Sequence, residues 1–360
     1  MLRITTANGE TASIELANES SEDGALIGVA RAPDSEIQVR LVRRYTRQAQ
    51  SRYHIYLLRS SEQGEADYTE VVSAAPSKER LGAIFPVSAM CSTEHARATD
   101  DFFEVAASVA FDALLSDERG QSVAARHSLD ETYEISDFYV ESASVIVLRE
   151  CMESVDLVPY LPTLLANGFA PYNSNRDVGA YLKAFEGPPP QKVKIGLVNS
   201  RHLSNGYLSY LYSEVLPFEN SAVAQFVLLY QVFEMMMQTV FEEALGSFKA
   251  KVQAFVGTPS DLRALSTVLN DVASERVRIR KCIEAAGLPI GLFGNLINHC
   301  GVLLAACGKT FDASSPVGSV LYDARNLIFH GYRDIPKEEH RNIDLINGAL
   351  IQLLPALLQK

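Results

Sequence analysis

The sequence predicts an α+β protein: a β-rich N-terminal domain followed by an all-α C-terminal domain. Short runs that alternate apolar and polar residues fill residues 1–150, whereas long runs with helical spacing fill residues 201–360. Between the two patterns lie three consecutive prolines, Pro188–Pro190, and proline neither continues a helix nor fits a central strand. We therefore expect residues 151–200 to be a connector with a proline-rich linker.

The elements of the first domain follow from local patterns. The pair Asn8-Gly9 separates two short alternating runs, which predicts a β-hairpin. Runs of β-branched and aromatic residues predict further strands within 36–45, 52–60 and 133–148. Residues 99–118 have helical spacing and an acidic start, so we expect one helix among these strands.

The second domain is predicted to be a helical bundle. After a strand-like run at 192–198, long segments with helical periodicity follow, and their joints carry glycine or proline. The predicted helices span about 221–256, 260–286, 291–307, 317–330 and 337–358. In the first of them an apolar stripe is expected to form core: Phe226, Tyr230, Phe233, Met237, Val240, Ala244 and Phe248.

Composition and cysteine usage narrow the functional class. Of the 360 residues, 47% are hydrophobic and 21% charged, which is typical of a soluble globular protein. The five cysteines form no CxxC pair, so we expect reduced thiols rather than disulfides or a zinc site. No apolar run approaches the roughly 20 residues of a membrane helix, and no signal segment is recognisable. A cytoplasmic protein without membrane contact, metal or cofactor is predicted.

Charge is distributed unevenly along the chain. The net charge is −12, and residues 1–200 carry 18 Lys and Arg against 29 Asp and Glu. Residues 201–360 carry 14 against 15, so the acidity belongs to the N-terminal part. The net charge argues against nonspecific nucleic-acid binding by the chain as a whole, but the distribution leaves the C-terminal part nearly neutral.

Polar residues interrupt the apolar face of the predicted helix 317–330. Asn326 and His330 are four residues apart and share a face, whereas Arg325 and His330 are five apart, roughly 140° around a straight helix. Arg325 and His330 can converge only where the helix distorts or ends, or where a second copy contributes. Gly331 permits an ending, because glycine tolerates the left-handed conformation that closes many helices.

A single carboxylate interrupts the apolar run 226–241. Glu234 is its one charged residue, and a buried carboxylate is costly unless a cation meets it. Alternatively, Glu234 belongs to a narrow solvated stripe with Gln231, Gln238 and Glu242, which follow helical spacing. The sequence leaves both interpretations open.

The stretch "RNLIFH", residues 325–330, resembles the Arg-polar-x-x-x-His signature of the HEPN superfamily (higher eukaryotes and prokaryotes nucleotide-binding domains). "FVLLYQVFE" is similar to the first helix of its Apea-like and abortive-infection members. The resemblance covers roughly residues 221–360 and implies a small helical bundle. In catalytic members, two motifs face one groove of a dimer and cut RNA without a metal.

The resemblance also implies roles for individual residues. His330 would handle the proton while the ribose 2′-hydroxyl attacks its own phosphate, and Arg325 would steady the phosphorane charge. Asn326 would orient histidine or substrate, and Glu234 would face the motif. The structural alternative is that Arg325 and Glu234 form a buried pair while His330 only caps the helix end.

A basic cluster lies in the same half of the chain. It comprises Arg276, Arg278, Arg280 and Lys281, and in an RNA enzyme it would follow the phosphate backbone. An ordinary solvated helix face explains it equally well. Tyr332 and Asp323 flank the motif, and we consider Tyr332 a further candidate for RNA contact.

Together these features predict a homodimeric, metal-independent endoribonuclease of HEPN type. By resemblance it would be a toxin or an antiviral, abortive-infection effector. The acidic N-terminal domain would restrain it or sense a trigger, such as a phage-derived partner. One competing hypothesis is a non-catalytic HEPN-fold module for dimerisation or partner binding, and another is a small-nucleotide binder. They differ in whether Arg325 and His330 line an open groove.

Overall fold

A computed structural model describes residues 2–20, 25–33, 35–61, 64–74, 79–125, 131–150, 156–185, 189–204, 206–255, 257–312 and 314–359. The chain forms two compact units, Met1–Val178 with Leu182–Gly196, and Gly179–Tyr181 with Leu197–Lys360. The first unit is rich in strands and the second is helical. The predicted order of a β-rich N-terminal part and a helical C-terminal part is thus confirmed.

The first unit contains two sheets. The strands are, in chain order, β1 (Arg3–Thr5), β2 (Thr11–Ser20), β3 (Leu26–Ala32), β4 (Ser35–Leu41), β5 (Tyr53–Ser60), β6 (Thr69–Ser73), β7 (Arg80–Pro86), β8 (Ser122–Ala124), β9 (Glu131–Tyr133), β10 (Ala143–Arg149), β11 (Phe169–Pro171) and β12 (Lys192–Ile195). Within the described residues, one sheet has the order β8-β1-β2-β3-β4-β9 and the other β11-β5-β10-β7-β6-β12. The predicted hairpin is present, because β1 and β2 pair antiparallel around Gly9, whose φ is +84°.

One apolar core unites both sheets with a helix. This helix, α1 (Asp101–Ser116), begins where the Asp100 carboxylate accepts hydrogen bonds from the first free backbone N–H groups. Its buried Phe103 and Phe111 belong to a cluster that also includes Val39 and Val145, one from each sheet. The single helix expected among the N-terminal strands is therefore the element on which the core is built.

Residues 151–200 are not a connector, contrary to the expectation. Their described part belongs mostly to the first unit, because β11 extends the second sheet beside β5 and β12 pairs in parallel with β6. The physical reason lies in β12, whose Val193 and Ile195 are buried and alternate with exposed lysines, a pattern that a sheet edge satisfies. Pro188 lies outside the described residues, and the carbonyl of Pro190 accepts a hydrogen bond from Thr69 Oγ1 at 2.7 Å.

The remaining helices are short up to residue 210 and long beyond residue 220. They are α2 (Leu161–Ala166), α3 (Ala180–Lys183), α4 (Ser200–Leu203), α5 (Tyr207–Tyr210), α6 (Ala222–Gln253), α7 (Pro259–Ala273), α8 (Glu275–Ala286), α9 (Gly294–Ala306), α10 (Val317–His330) and α11 (His340–Leu358). The predicted helix 317–330 has the predicted ends. The prediction of one helix over 260–286 is wrong, because Ser274 is extended (φ −77°, ψ 119°) and separates α7 from α8.

The apolar stripe predicted on α6 forms core only in the first half of the helix. Phe226, Tyr230, Phe233 and Met237 are buried, but Val240, Ala244 and Phe248 are only half-buried. Leu245 and Val252 farther along are close to half exposed. The stripe is only partly covered in the second half because α6 is 32 residues long and its residues from 238 onward are exposed or half-buried.

Helix α10 packs against α8 and α9 through a continuous apolar face. Val320, Leu321, Ala324 and Ile328 are all buried. Its close approach to α8 depends on Gly318, since a Cβ there would lie 3.1 Å from both the Arg276 carbonyl oxygen and the Arg280 nitrogen. A side chain at position 318 would therefore push the two helices apart.

The thiols of Cys91, Cys282, Cys300 and Cys307 are free and buried or half-buried, and Cys151 lies outside the described residues. In the part of the chain that the structure describes, no helix combines the length and apolar character needed to cross a membrane.

Candidate functional site

Helix α10 ends at His330, and the chain leaves it without a left-handed turn. Gly331 has φ −115° and ψ 16°, and its N–H donates to the Leu327 carbonyl oxygen at 2.8 Å. Glycine is favoured there for another reason: a Cβ would lie 3.1 Å from Leu327 Cδ1 and from the Leu327 carbonyl oxygen. The helix therefore ends where it was predicted to end, and Gly331 ends it without a positive φ.

Arg325 is packed against aromatic rings and two carboxylates. Its side chain is 19% exposed, and its guanidinium carbon lies 4.7 Å from the Phe329 ring centroid and 5.6 Å from that of Tyr230. Nη2 lies 3.9 Å from Glu234 Oε1 and Nε lies 3.9 Å from Glu275 Oε1. We call these five residues the Arg325 cluster. Such contacts stabilise a guanidinium in a partly desolvated position.

Glu275 is the member of the cluster that sequence reasoning missed. It begins α8, and its Oε1 accepts a hydrogen bond from the Tyr230 hydroxyl at 2.5 Å. Burial of the ring raises the pKa of Tyr230, and the bond to the Glu275 carboxylate raises it further. The one signal in the sequence was a carboxylate at the start of a helix, where it also meets the positive end of the helix dipole.

Glu234 belongs to a solvated stripe, as one interpretation predicted, and the alternative of a buried carboxylate is wrong. Its side chain is 47% exposed, and Gln231, Gln238 and Glu242 on the same stripe are also exposed, as a solvated face requires. Glu234 nevertheless lies next to Arg325, at the long distance of 3.9 Å. A pair this exposed is screened by water and contributes little stability on its own.

His330 and Asn326 line a cavity of about 690 Å³ at the end of α10. The described lining residues are Leu304, Cys307, Lys309, Thr310, Asp323, Asn326, Leu327, His330, Gly331 and Asp334. We call this space the His330 cavity. His330 is exposed, and no described residue forms a hydrogen bond with its ring. Asn326 and His330 come together as their spacing predicts, whereas Arg325 does not line the cavity.

One contact links the cluster to the cavity. Arg325 Nη1 donates a hydrogen bond to Asn326 Oδ1 at 3.0 Å. Asn326 therefore contacts Arg325 at one end of its amide and belongs to the cavity lining. Arg325 and Asn326 are thus coupled by a hydrogen bond, and of the three polar residues of the motif Asn326 and His330 line the cavity.

Charges around the cavity are nearly balanced. Asp323 forms an ion pair with Arg276, whereas Lys309 and Asp334 form no ion pair with any described residue. Burial raises the pKa of the Cys307 thiol, the carboxylates of Glu339 and Asp334 raise it further, and the Lys309 ammonium lowers it. The thiol is therefore mostly protonated near neutral pH, and the ionisable groups available for chemistry are His330, Lys309 and Asp334.

The predicted basic cluster does not form a continuous stripe. Arg276 is paired with Asp323, and Arg280 Nε lies 3.5 Å from Glu284 Oε1 one helical turn away. Arg278 points elsewhere, with its guanidinium carbon 5.7 Å from the Phe241 ring centroid, and Lys281 is half-buried. Arg276 is the member that contacts a residue of the His330 cavity lining.

Tyr332, the other candidate for RNA contact, is 40% exposed just beyond the end of α10. Its ring stacks on His340, with centroids 5.3 Å apart and planes 26° from parallel. The described lining of the His330 cavity does not include it.

Among the described residues, no group of three or more His, Cys, Asp and Glu side chains is arranged to hold a metal ion. Comparison with known proteins adds no assignment: the chain matches no protein-family model, no curated protein and no solved structure.

Proposed function

We propose that this protein is a metal-independent endoribonuclease of HEPN type and that its reaction takes place at the His330 cavity. The observation that carries the proposal is the exposed imidazole of His330 beside Asn326 in a cavity of about 690 Å³. An imidazole changes protonation near neutral pH and can therefore remove or supply the proton in phosphodiester cleavage. The cavity volume lies in the range of small-molecule sites.

The proposed reaction is transesterification within RNA. The ribose 2′-oxygen attacks the adjacent phosphorus and loses its proton, the bond from phosphorus to the 5′-oxygen breaks, and that oxygen gains a proton. The products are a 2′,3′-cyclic phosphate and a 5′-hydroxyl. His330 transfers one of these protons, and the second copy in a homodimer supplies another His330 for the other. Arg325 acts on the site through its hydrogen bond to Asn326.

A homodimer through the helical unit is part of this proposal. Its support is the resemblance, together with the separation of Arg325 and His330, which lie in different surroundings of one chain. Sedimentation at micromolar concentration should give a species near twice 39.5 kDa. A strictly monomeric protein that still cleaves RNA would contradict the two-histidine mechanism.

The cellular role also remains part of the proposal. A toxin or antiviral effector needs restraint, and the N-terminal residues 1–200 carry a net charge of −11 that disfavours RNA near them. We propose that the strand-rich unit restrains the nuclease or receives its trigger, in the manner expected of an abortive-infection effector. A phage-derived molecule is one such trigger.

The second candidate is a non-catalytic helical module, and a specific observation favours it. Arg325 is engaged by Glu234, Glu275 and two rings, so it has a structural role whether or not the protein is an enzyme. In this case the motif maintains the bundle and the dimer. RNA cleavage decides between the two functions.

The test is RNA cleavage in EDTA by the full chain. Wild-type protein should convert a mixed-sequence RNA to fragments with 2′,3′-cyclic phosphate ends, and His330→Ala should be slower by a factor of about 100 or more. His299→Ala is the matched control, since His299 lies on α9 and is not a described lining residue. Full activity of a folded His330→Ala protein, or cleavage only after magnesium is restored, would overturn the proposal.

A further inference from the structure

We propose that the His330 cavity is a phosphate-binding site in which Lys309 supplies the cation and Asn326 supplies amide N–H donors. Nothing in the helical motif points to Lys309, which lies outside it on the segment between α9 and α10. The inference rests on the proposed ribonuclease function, because it names the groups that hold the phosphate at the same site.

The turn that closes the C-terminus of α9 holds the backbone of Lys309 at the cavity. Helix α9 ends at Ala306, and Gly308 follows with φ +68°. The N–H of Gly308 donates to the Ala305 carbonyl oxygen at 3.0 Å, and the N–H of Lys309 donates to the Leu304 carbonyl oxygen at 2.9 Å. This is the glycine-dependent closure of a helix C-terminus. Because Leu304 also lines the cavity, the closure holds Lys309 at its rim.

The charge of Lys309 is available for a ligand. Its side chain is exposed, and no carboxylate of the described residues forms an ion pair with it. Asp323 also lines the cavity, but it forms an ion pair with Arg276. Its carboxylate therefore competes less with a ligand for the Lys309 ammonium group. A lysine ammonium is a compact point charge with three donors, which suits a phosphate oxygen.

Arg325 determines which end of the Asn326 amide is available. A guanidinium only donates hydrogen bonds, so the atom of Asn326 that faces Arg325 Nη1 at 3.0 Å must be the oxygen. The amide N–H₂ group therefore remains for other acceptors, such as a phosphate oxygen. Arg325 is a positioning residue in this arrangement, and it does not itself contact the ligand.

One carboxylate opposes an anion in the cavity. Asp334 lines it without an ion pair to any described residue, and its charge should weaken phosphate binding. Protonation of His330 acts in the opposite sense. Three independent effects are expected. Removing the Lys309 side chain weakens phosphate binding, and neutralising Asp334 strengthens it. Replacing the Asn326 amide by a carboxylate removes its N–H donors and weakens binding.

The experiment measures binding of adenosine 3′-monophosphate and of inorganic phosphate by NMR. Full-chain protein carrying ¹³C-labelled histidine is titrated at pH 6.5, and the His330 signal is assigned by its loss in His330→Ala. Both probes should shift that signal. Lys309→Ala and Asn326→Asp should each raise the dissociation constant about tenfold, and Asp334→Asn should lower it about threefold. Lys249→Ala, on the exposed part of α6, is the matched control and should leave it unchanged.

The outcomes separate this inference from the proposed function. If neither probe shifts the His330 signal, or if Lys309→Ala binds them as wild type does, the phosphate site is wrong, whatever the activity on RNA. If phosphate binds through Lys309 but RNA is not cleaved, the site stands and the nuclease proposal fails. Tighter binding in Lys309→Ala than in wild type would overturn the assigned charge role.

Discussion

Arg325 and His330 are five residues apart on one helix, and their surroundings are of opposite character. The Arg325 guanidinium lies among two aromatic rings and two carboxylates, and its side chain is 19% exposed. The His330 imidazole is exposed and lines a cavity without a hydrogen-bond partner in the described part of the chain. Two residues of one short motif can therefore differ in role: the packed Arg325 stabilises contacts between helices, whereas His330 is exposed.

The largest effect that tests this comparison is on stability. Arg325→Ala should reduce the free energy of unfolding of the helical unit by about 3 kcal/mol, because two cation–π contacts are lost and Glu275 loses its cation. His330→Ala should change it by less than about 0.5 kcal/mol, since an exposed side chain has little packing to lose. Urea unfolding followed by far-ultraviolet circular dichroism measures both. Equal losses in the two variants would contradict the division.

A smaller effect concerns the chemistry of the cation at position 325. Arg325→Lys should slow RNA cleavage about 30-fold, about 2 kcal/mol of barrier, because an ammonium cannot donate to Asn326 and meet both carboxylates in one geometry. Arg280→Lys is the matched control, since Arg280 forms an exposed pair with Glu284 on its own helix. Arg325→Lys activity equal to that of the control would show that charge alone matters at position 325.

The smallest effect comes from the hydroxyl of Tyr230. Tyr230→Phe removes the hydrogen bond to Glu275 Oε1 but keeps the ring that contacts Arg325, so stability should fall by about 1 kcal/mol at pH 7. Cleavage should be nearly unchanged, because the Asn326 amide keeps its bond to Arg325. A loss of cleavage comparable with that of Arg325→Lys would place Tyr230 in the site.

The pH dependence of the same variant has a defined sign. Burial and Glu275 raise the pKa of Tyr230 in the folded state above the ordinary value of about 10. The folded protein therefore holds this proton more tightly, and the stabilisation that it provides is present below pH ~10 and lost as pH rises above it. Tyr230→Phe should reduce the alkaline loss of stability above that pH. An unchanged alkaline limb would contradict a raised pKa of Tyr230 in the folded protein.

Elements with strong local signals could be predicted from the sequence. The Asn8-Gly9 hairpin, α1 and both ends of α10 follow from turn residues and periodicity. Strand β11 was missed because it is only three residues long and is stabilised by pairing with the distant β5. The run that forms β12 was predicted to be strand-like, but its pairing with β6 was missed because β6 is distant in the sequence. Their proline and glycine neighbours looked like a linker.

The candidate site was predictable only where spacing decides it. Asn326 and His330 share the cavity because four residues complete about one helical turn. Glu275 and Lys309 were missed because their proximity to α10 depends on how α8 and α9 pack, which no local pattern records. The basic cluster on α8 was dense in sequence but is split in space by ion pairs and by the turn of the helix.

The central claim is that this protein cleaves RNA without a metal. The 2′-hydroxyl of the RNA attacks the adjacent phosphorus, and His330 transfers a proton. The most direct measurement is the cleavage rate in EDTA of an oligoribonucleotide and of the same oligonucleotide with one 2′-deoxy sugar at the mapped cleavage position. The ribose substrate should yield a 2′,3′-cyclic phosphate at that position, and the 2′-deoxy substrate should not be cut there. Equal cleavage of the two substrates would contradict this mechanism.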